Sequence, residues 1–270
     1  MNLSISNIGW PAELDSQIYA LMKKHGYSGL EIAPTRIFPE RPYERLEEAA
    51  AWRRHLKSDH QFCIPSMQSI WYGRTEKLFG ADSEREVLKE YTKKAIDFAA
   101  VIGCRNLVFG CPRNRVLPEG QTPEAAIEFF REIGDYAAEK GTVIGMEANP
   151  PIYHTNFIND TGSALALIRE VASDGFLLNL DIGTMIHNQE SVSALSGNVR
   201  YVNHVHVSEP GLKPPVPRPL HEELFRLLKS EKYAGFISIE MGKTESLPDI
   251  ENALHYVKTI FAEKESSHDL

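Results

Sequence analysis

Four polar residues end otherwise apolar segments: Glu147 in VIGMEANP, Asp181 in LLNLDIGT, His206 in VNHVHVSEP and Glu240 in FISIEMG. Each segment reads as a buried strand. A carboxylate at such a position is costly to desolvate, and three converging carboxylates would repel one another unless a cation neutralised them. Taken singly, each residue is explained equally well by a strand-end cap or an ion pair. Taken together, they point to a metal. Three carboxylates and one imidazole form a hard, oxygen-rich set suited to Mn2+, Mg2+ or Co2+, and Zn2+ is also admissible, although structural zinc more often recruits thiolates. Mn2+ is the expected ion. Alternate strand residues share a face, so His204 points the same way as His206, and Asn179 the same way as Asp181. One layer deeper, His204 and Asn179 read as interior hydrogen-bonding groups.

Placing these four side chains at one rim requires parallel strands, and the sequence supplies them. Eight short apolar runs, at 3–8, 29–33, 62–67, 106–109, 143–147, 176–181, 201–207 and 236–240, alternate with segments of helical periodicity. Four joints, KKHGYSGLEIA, AAVIGCRNLVFG, AAEKGTVIGMEAN and SEKYAGFISIEMG, place Gly26, Gly103, Gly141 and Gly235 where a left-handed residue would stop a helix. Thr122, Pro123 and Glu124 read as the start of a helix reaching Lys140 that buries Ala126, Phe129, Phe130 and Ile133. Another helix is expected from about Asp82 to Ala100. Eight parallel strands with helical crossovers predict an α/β fold closed as a (β/α)8 barrel, with an open doubly wound sheet as the alternative. Two connections are long: Gln68 to about Ala81, and Ser208 to Leu220, the latter carrying five prolines. On the catalytic face of a barrel such loops are expected to wall or cover a pocket.

The 270 residues, 42% of them hydrophobic, suit one domain over 1–270, with 264–270 expected to fray. A formal net charge of -8 argues against a nucleic-acid partner and favours a neutral or weakly charged ligand. The opening MNLSISNIGW has no basic, apolar leader pattern and no stretch approaches a membrane span, so a cytoplasmic location is expected. Cys63, Cys104 and Cys111 lack paired metal spacing and read as buried thiols or pocket lining.

Around the rim, Gln68 is a candidate to bind ligand hydroxyls, and Trp71 and Tyr72 offer flat apolar faces on which a ligand ring could stack, or alternatively cover the barrel mouth or an oligomer contact. Asn149 and Tyr153, stiffened by Pro150 and Pro151, are candidate substrate contacts. Trp10, Glu31, Cys111 and Arg113 have weaker claims, and His221 is expected to cap a helix. No glycine-rich phosphate loop occurs, so a phosphorylated substrate is not favoured, although Arg74, Arg113 and Lys213 keep that option open.

With these anchors in order, the chain resembles the xylose isomerase-like TIM barrels, a superfamily of sugar isomerases and epimerases that also includes inosose dehydratases and endonuclease IV. The resemblance spans nearly the whole chain and implies that Glu147, Asp181, His206 and Glu240 bind one divalent metal. It further implies that Glu147 and Glu240 act as acid and base on opposite faces of a keto-sugar or related polyol, through an enediolate. Departures concern the substrate. Thr184 stands where the epimerases carry a histidine, with His187 a turn further on as a candidate contact. Glu209 is kept after the metal histidine, but Pro210, Gly211, Leu212 and Lys213 follow where an arginine is usual. The alternative is a lyase or dehydratase acting on an inosose or keto-glycoside through the same enolate. Endonuclease IV-like repair is disfavoured by the missing ligands at Thr184 and Pro219, and a non-catalytic sugar-binding barrel by the intact quartet. Association into a homo-oligomer is compatible with the family.

Overall fold

The computed structural model describes residues 1–262, so the expected fraying of 264–270 lies outside the described residues. In chain order the main elements are β1 (Asn2–Ser6), α1 (Asp15–His25), β2 (Gly29–Glu31), α2 (Pro34–Ile37), α3 (Leu46–His60), α4 (Asp82–Ile102), β3 (Leu107–Phe109), α5 (Glu124–Glu139), β4 (Ile144–Met146), α6 (Thr161–Val171), β5 (Phe176–Asp181), α7 (Ile182–Asn188), β6 (Val202–Val207), α8 (Pro219–Ser230), β7 (Phe236–Ile239) and α9 (Leu247–Phe261). The seven strands are all parallel, in the order β2-β1-β7-β6-β5-β4-β3.

The expected third strand, 62–67, is not a regular strand. It nevertheless fills the gap between β2 and β3, with parallel bridges Gly29↔Cys63, Ile32↔Met67 and Met67↔Leu107. The Leu30 N–H donates to the Cys63 carbonyl, and the Val108 N–H to that of Met67. Pro65 has no N–H to give the ladder, which breaks the regular pairing at this stave. The barrel therefore closes with seven strands and one irregular segment.

The helical periodicity is realised. α5 buries Ala126, Phe129, Phe130 and Ile133 against the sheet, where Phe130 meets Phe109, Phe129 and Phe176. Gly26, Gly103 and Gly141 hold positive φ at helix ends. Gly235 does not: Lys232 is the left-handed residue of that joint, and Gly235 is needed because a Cβ there would strike the Tyr233 ring. His221 is not a cap either. It sits buried in the first turn of α8 with Nδ1 2.8 Å from the Tyr256 hydroxyl.

Candidate functional site

Glu147 follows β4, Asp181 ends β5, His206 is the penultimate residue of β6 and Glu240 follows β7. Because adjacent parallel strands align Asp181 with His206, and His206 with Ser238 just before Glu240, the four side chains meet at one rim. One donor atom from each lies within 4.8 Å of all the others. The Nδ1 of His206 is 3.1 Å from Glu147 Oε1 and 3.3 Å from Glu240 Oε2. Asp181 is fixed by Thr184, whose N–H and hydroxyl both donate to Oδ2 at 2.8 Å, and by the Ser208 hydroxyl on Oδ1.

Crowding shows in the electrostatics. Burial and the nearby Glu147 push the Asp181 carboxyl up, and burial, with Glu147 and Asp181 beside it, raises Glu240 to about 7 despite His206. Although burial alone would lower it, His206 is held well above its ordinary value by Glu31 and Glu240. Three buried carboxylates sharing one imidazole are short of positive charge. That deficit, with the oxygen-rich donors, fits one divalent cation.

Behind the quartet lies a second buried layer. Glu31 Oε2 accepts from Nε2 of both His204 and His206 at 2.9 Å, and Gln68 Nε2 donates to Oε1 at 2.9 Å. A carboxylate can only accept, so both imidazoles carry their proton on Nε2, and Nδ1 of His206 faces the quartet. Against the effect of burial, His206 and His204 hold Glu31 well below the usual carboxylate range. The cluster Glu31, His204 and His206 is thus a closed hydrogen-bond network that fixes the orientation of the His206 ring.

The quartet opens into a cavity of about 210 Å³ whose lining includes Gln68, Asn149, Tyr153 and Glu209. The structure brings these expected residues to the site, but most of their polar atoms are already engaged. Gln68 bonds Ser6 and Glu31. Asn149 donates to Glu147 Oε2 at 3.0 Å and accepts from Arg115 at 2.7 Å. Glu209 forms a two-pronged pair with Arg218. The Tyr153 hydroxyl accepts from the Gly211 N–H at 3.1 Å.

Two expected contacts are elsewhere. Trp71 is only 3% exposed and packs on Phe109 and Phe129, its Nε1 donating to Thr92, because the loop folds its ring into the core. His187 is exposed in the last turn of α7, outside the cavity lining, since the helix starting at Asp181 carries it away from the rim. Trp10 is also buried, bonded to Asp15 and covered by Arg36.

Arg115 was not legible as a site residue. Fully buried, it donates to the Glu147, Phe157 and Ile158 carbonyls and to Asn149. It ties the end of β4 to the following loop and sets the Asn149 amide against Glu147. Gly110 makes room for that carboxylate: a Cβ there would lie 2.9 Å from Glu147 Oε2. In the sequence it follows Arg113 and Asn114 in a loop, a setting no different from that of a surface arginine.

The model of the xylose isomerase-like TIM barrel family matches residues 19–260. A solved D-psicose 3-epimerase, crystallised in the presence of D-fructose, superposes with a TM-score of 0.78 at 17% identity over 97% of this chain and 99% of that one. A 3-keto-D-glucoside 4-epimerase from E. coli gives 0.74 at 18% over 96% and 99%. A family 2 AP endonuclease from Brucella melitensis gives 0.71 at 19% over 96% and 99%. At these identities the likenesses establish the fold alone. No curated protein matches the chain. Topology, rim geometry and the family match over most of its length agree, and the chain belongs to the xylose isomerase-like TIM barrels.

Proposed function

We propose that the chain is a divalent-metal-dependent isomerase or epimerase that moves a proton beside the carbonyl of a keto-sugar or related polyol. The observation that carries this reading is the convergence of Glu147, Asp181, His206 and Glu240 within 4.8 Å at the floor of a small cavity. A bound cation, Mn2+ by first choice, would withdraw charge from the substrate carbonyl and acidify the adjacent C–H.

Asp181 and His206 are locked by neighbours and serve as ligands. Glu147 and Glu240 come from strands separated in the sheet by the two that carry those ligands, so they approach a substrate from different sides. One removes the proton from the carbon next to the carbonyl. The C–H electron pair becomes the C=C bond of an enediolate, and the negative charge moves to oxygen. The other glutamate returns a proton to the opposite face, giving the isomer with no redox change. Arg115 and Asn149 hold Glu147 in place for this exchange.

The test is product analysis in deuterated water with a panel of keto-sugars and Mn2+. An epimerase returns a substrate isomer carrying solvent deuterium. An unsaturated or cleaved product would instead establish the lyase reading. Glu240→Gln is expected to lower turnover by roughly 10²–10⁴-fold; near-normal turnover in this variant removes Glu240 from the mechanism. DNA repair fits poorly, because the cavity admits one small ligand behind three carboxylates and the net charge is -8.

A further inference from the structure

The quartet cavity does not end at its own walls. A second cavity of about 280 Å³, lined by Trp71, Tyr72, Arg113 and Asn114, shares Ser69, Cys111 and Pro112 with it. Ser69 and Cys111 both hold positive φ, 57° and 44°. Non-glycine residues keep that conformation at a cost of roughly 1–3 kcal/mol, and such strain concentrates at ligand clamps. The strained pair sits at the junction of the two spaces.

We propose that this annex is an aglycone subsite, and that the substrate is a glycoside-type sugar bearing an aryl group rather than a free monosaccharide. The proposal rests on the reading that the quartet cavity receives a sugar unit. That cavity, about 210 Å³, is smaller than the roughly 300–1,000 Å³ that holds a drug-sized ligand, so a larger substrate must extend out of it. The annex is where it can extend. Tyr72 is 70% exposed and its ring packs on no other ring among the described residues, which leaves a flat face open. Pro112 adds an apolar wall beside it.

The polar inventory decides between an aryl group and a second sugar. The Asn114 amide is spent on the Arg74 and Glu76 carbonyls, and the Trp71 N–H on Thr92. The Cys111 thiol is engaged by the Trp71 backbone, so what remains is the Ser69 hydroxyl, the Tyr72 hydroxyl at the open edge, and the Arg113 guanidinium, which makes no ion pair among the described residues. The surface of the annex is mainly apolar, so a second sugar ring would leave most of its hydroxyls against apolar wall, whereas an aromatic ring needs only the Tyr72 face and the Pro112 wall.

Isothermal titration of the Mn2+-loaded protein with 4-nitrophenyl β-D-glucopyranoside, methyl β-D-glucopyranoside and 4-nitrophenol tests this. The aryl glucoside should bind about tenfold more tightly than the methyl glucoside. In Tyr72→Ala that ratio should fall towards one. Equal affinities in the wild type, or a ratio that survives in Tyr72→Ala, overturn the subsite. Methyl glucoside binding with no gain from the aryl group therefore overturns the subsite and leaves the sugar reading standing. Conversely, 4-nitrophenol binding that Tyr72→Ala removes, with no gain from an attached glucose, supports the aryl site and overturns the sugar reading.

Discussion

Along β5 and β6 the outward residues Leu180, Val205 and Val207 are buried beneath helices, while the inward Asn179, Asp181, His204 and His206 bond to one another and to Glu31, Glu147 and Thr184. The same alternation runs through β1, where Leu3 and Ile5 face out and Ser4 and Ser6 face in, and through β7, where Ile237 and Ile239 lie either side of Ser238. The outer layer is an apolar jigsaw whose energy comes from removing surface from water. The inner layer is a polar network around the quartet, although the buried Ser4 and Ser238 hydroxyls make no hydrogen bond among the described residues. One set of strands thus divides labour by parity: the outer face holds the fold, and the inner face holds charges that would be costly without each other.

The two imidazoles His206 and His221 show what the difference means. Both are buried, yet His206 sits among carboxylates and is held above its ordinary value, while burial against Tyr256 and Phe261 lowers His221 to about 4. The surroundings, not the depth, set the sign.

Three perturbations separate the layers further. The largest effect is expected on the outer side. Phe130→Ala empties the contact between α5, β3 and β5 and should cost about 3–5 kcal/mol in chemical denaturation, with Mn2+ stoichiometry kept in the folded fraction. A loss of metal binding at full stability would contradict the division. Next is the pH dependence of stability. His221 has a folded value of about 4, below the 6.5 of an exposed histidine, so its contribution is present above pH 6.5 and is lost as pH falls towards 4. The loss should reach roughly 3 kcal/mol across that window, and His221→Phe should flatten that slope in denaturation profiles. An unchanged slope would place the acid sensitivity elsewhere. Smallest is Glu31→Gln on the inner side, expected to weaken Mn2+ affinity about 10–100-fold by titration calorimetry while the protein stays folded. Unaltered affinity would show that His206 needs no orienting partner.

Much of this was legible in advance, and the exceptions have physical causes. The helix periodicities, the eight staves and the strand-end quartet follow from local pattern, because parity and period depend only on sequence spacing. The stave at 62–67 lost its regularity to Pro65. Trp71 and Tyr72 look alike as adjacent aromatics, yet one packs in the core and the other faces solvent, since a turn and not a period orients them. Asn149 does line the cavity, but that its amide is held between Glu147 and Arg115 could be read only from the structure.

By itself the sequence determined the barrel and which four side chains reach its rim, because alternation along a strand and the order of strands leave few other arrangements. Tertiary structure alone decided that Glu31, from β2, backs His206, from β6, and that Arg115 clamps the Glu147 strand end. It also decided that a second cavity opens beside the first. These pairings join residues far apart in the chain, and closure of the barrel is what brings them within hydrogen-bonding distance.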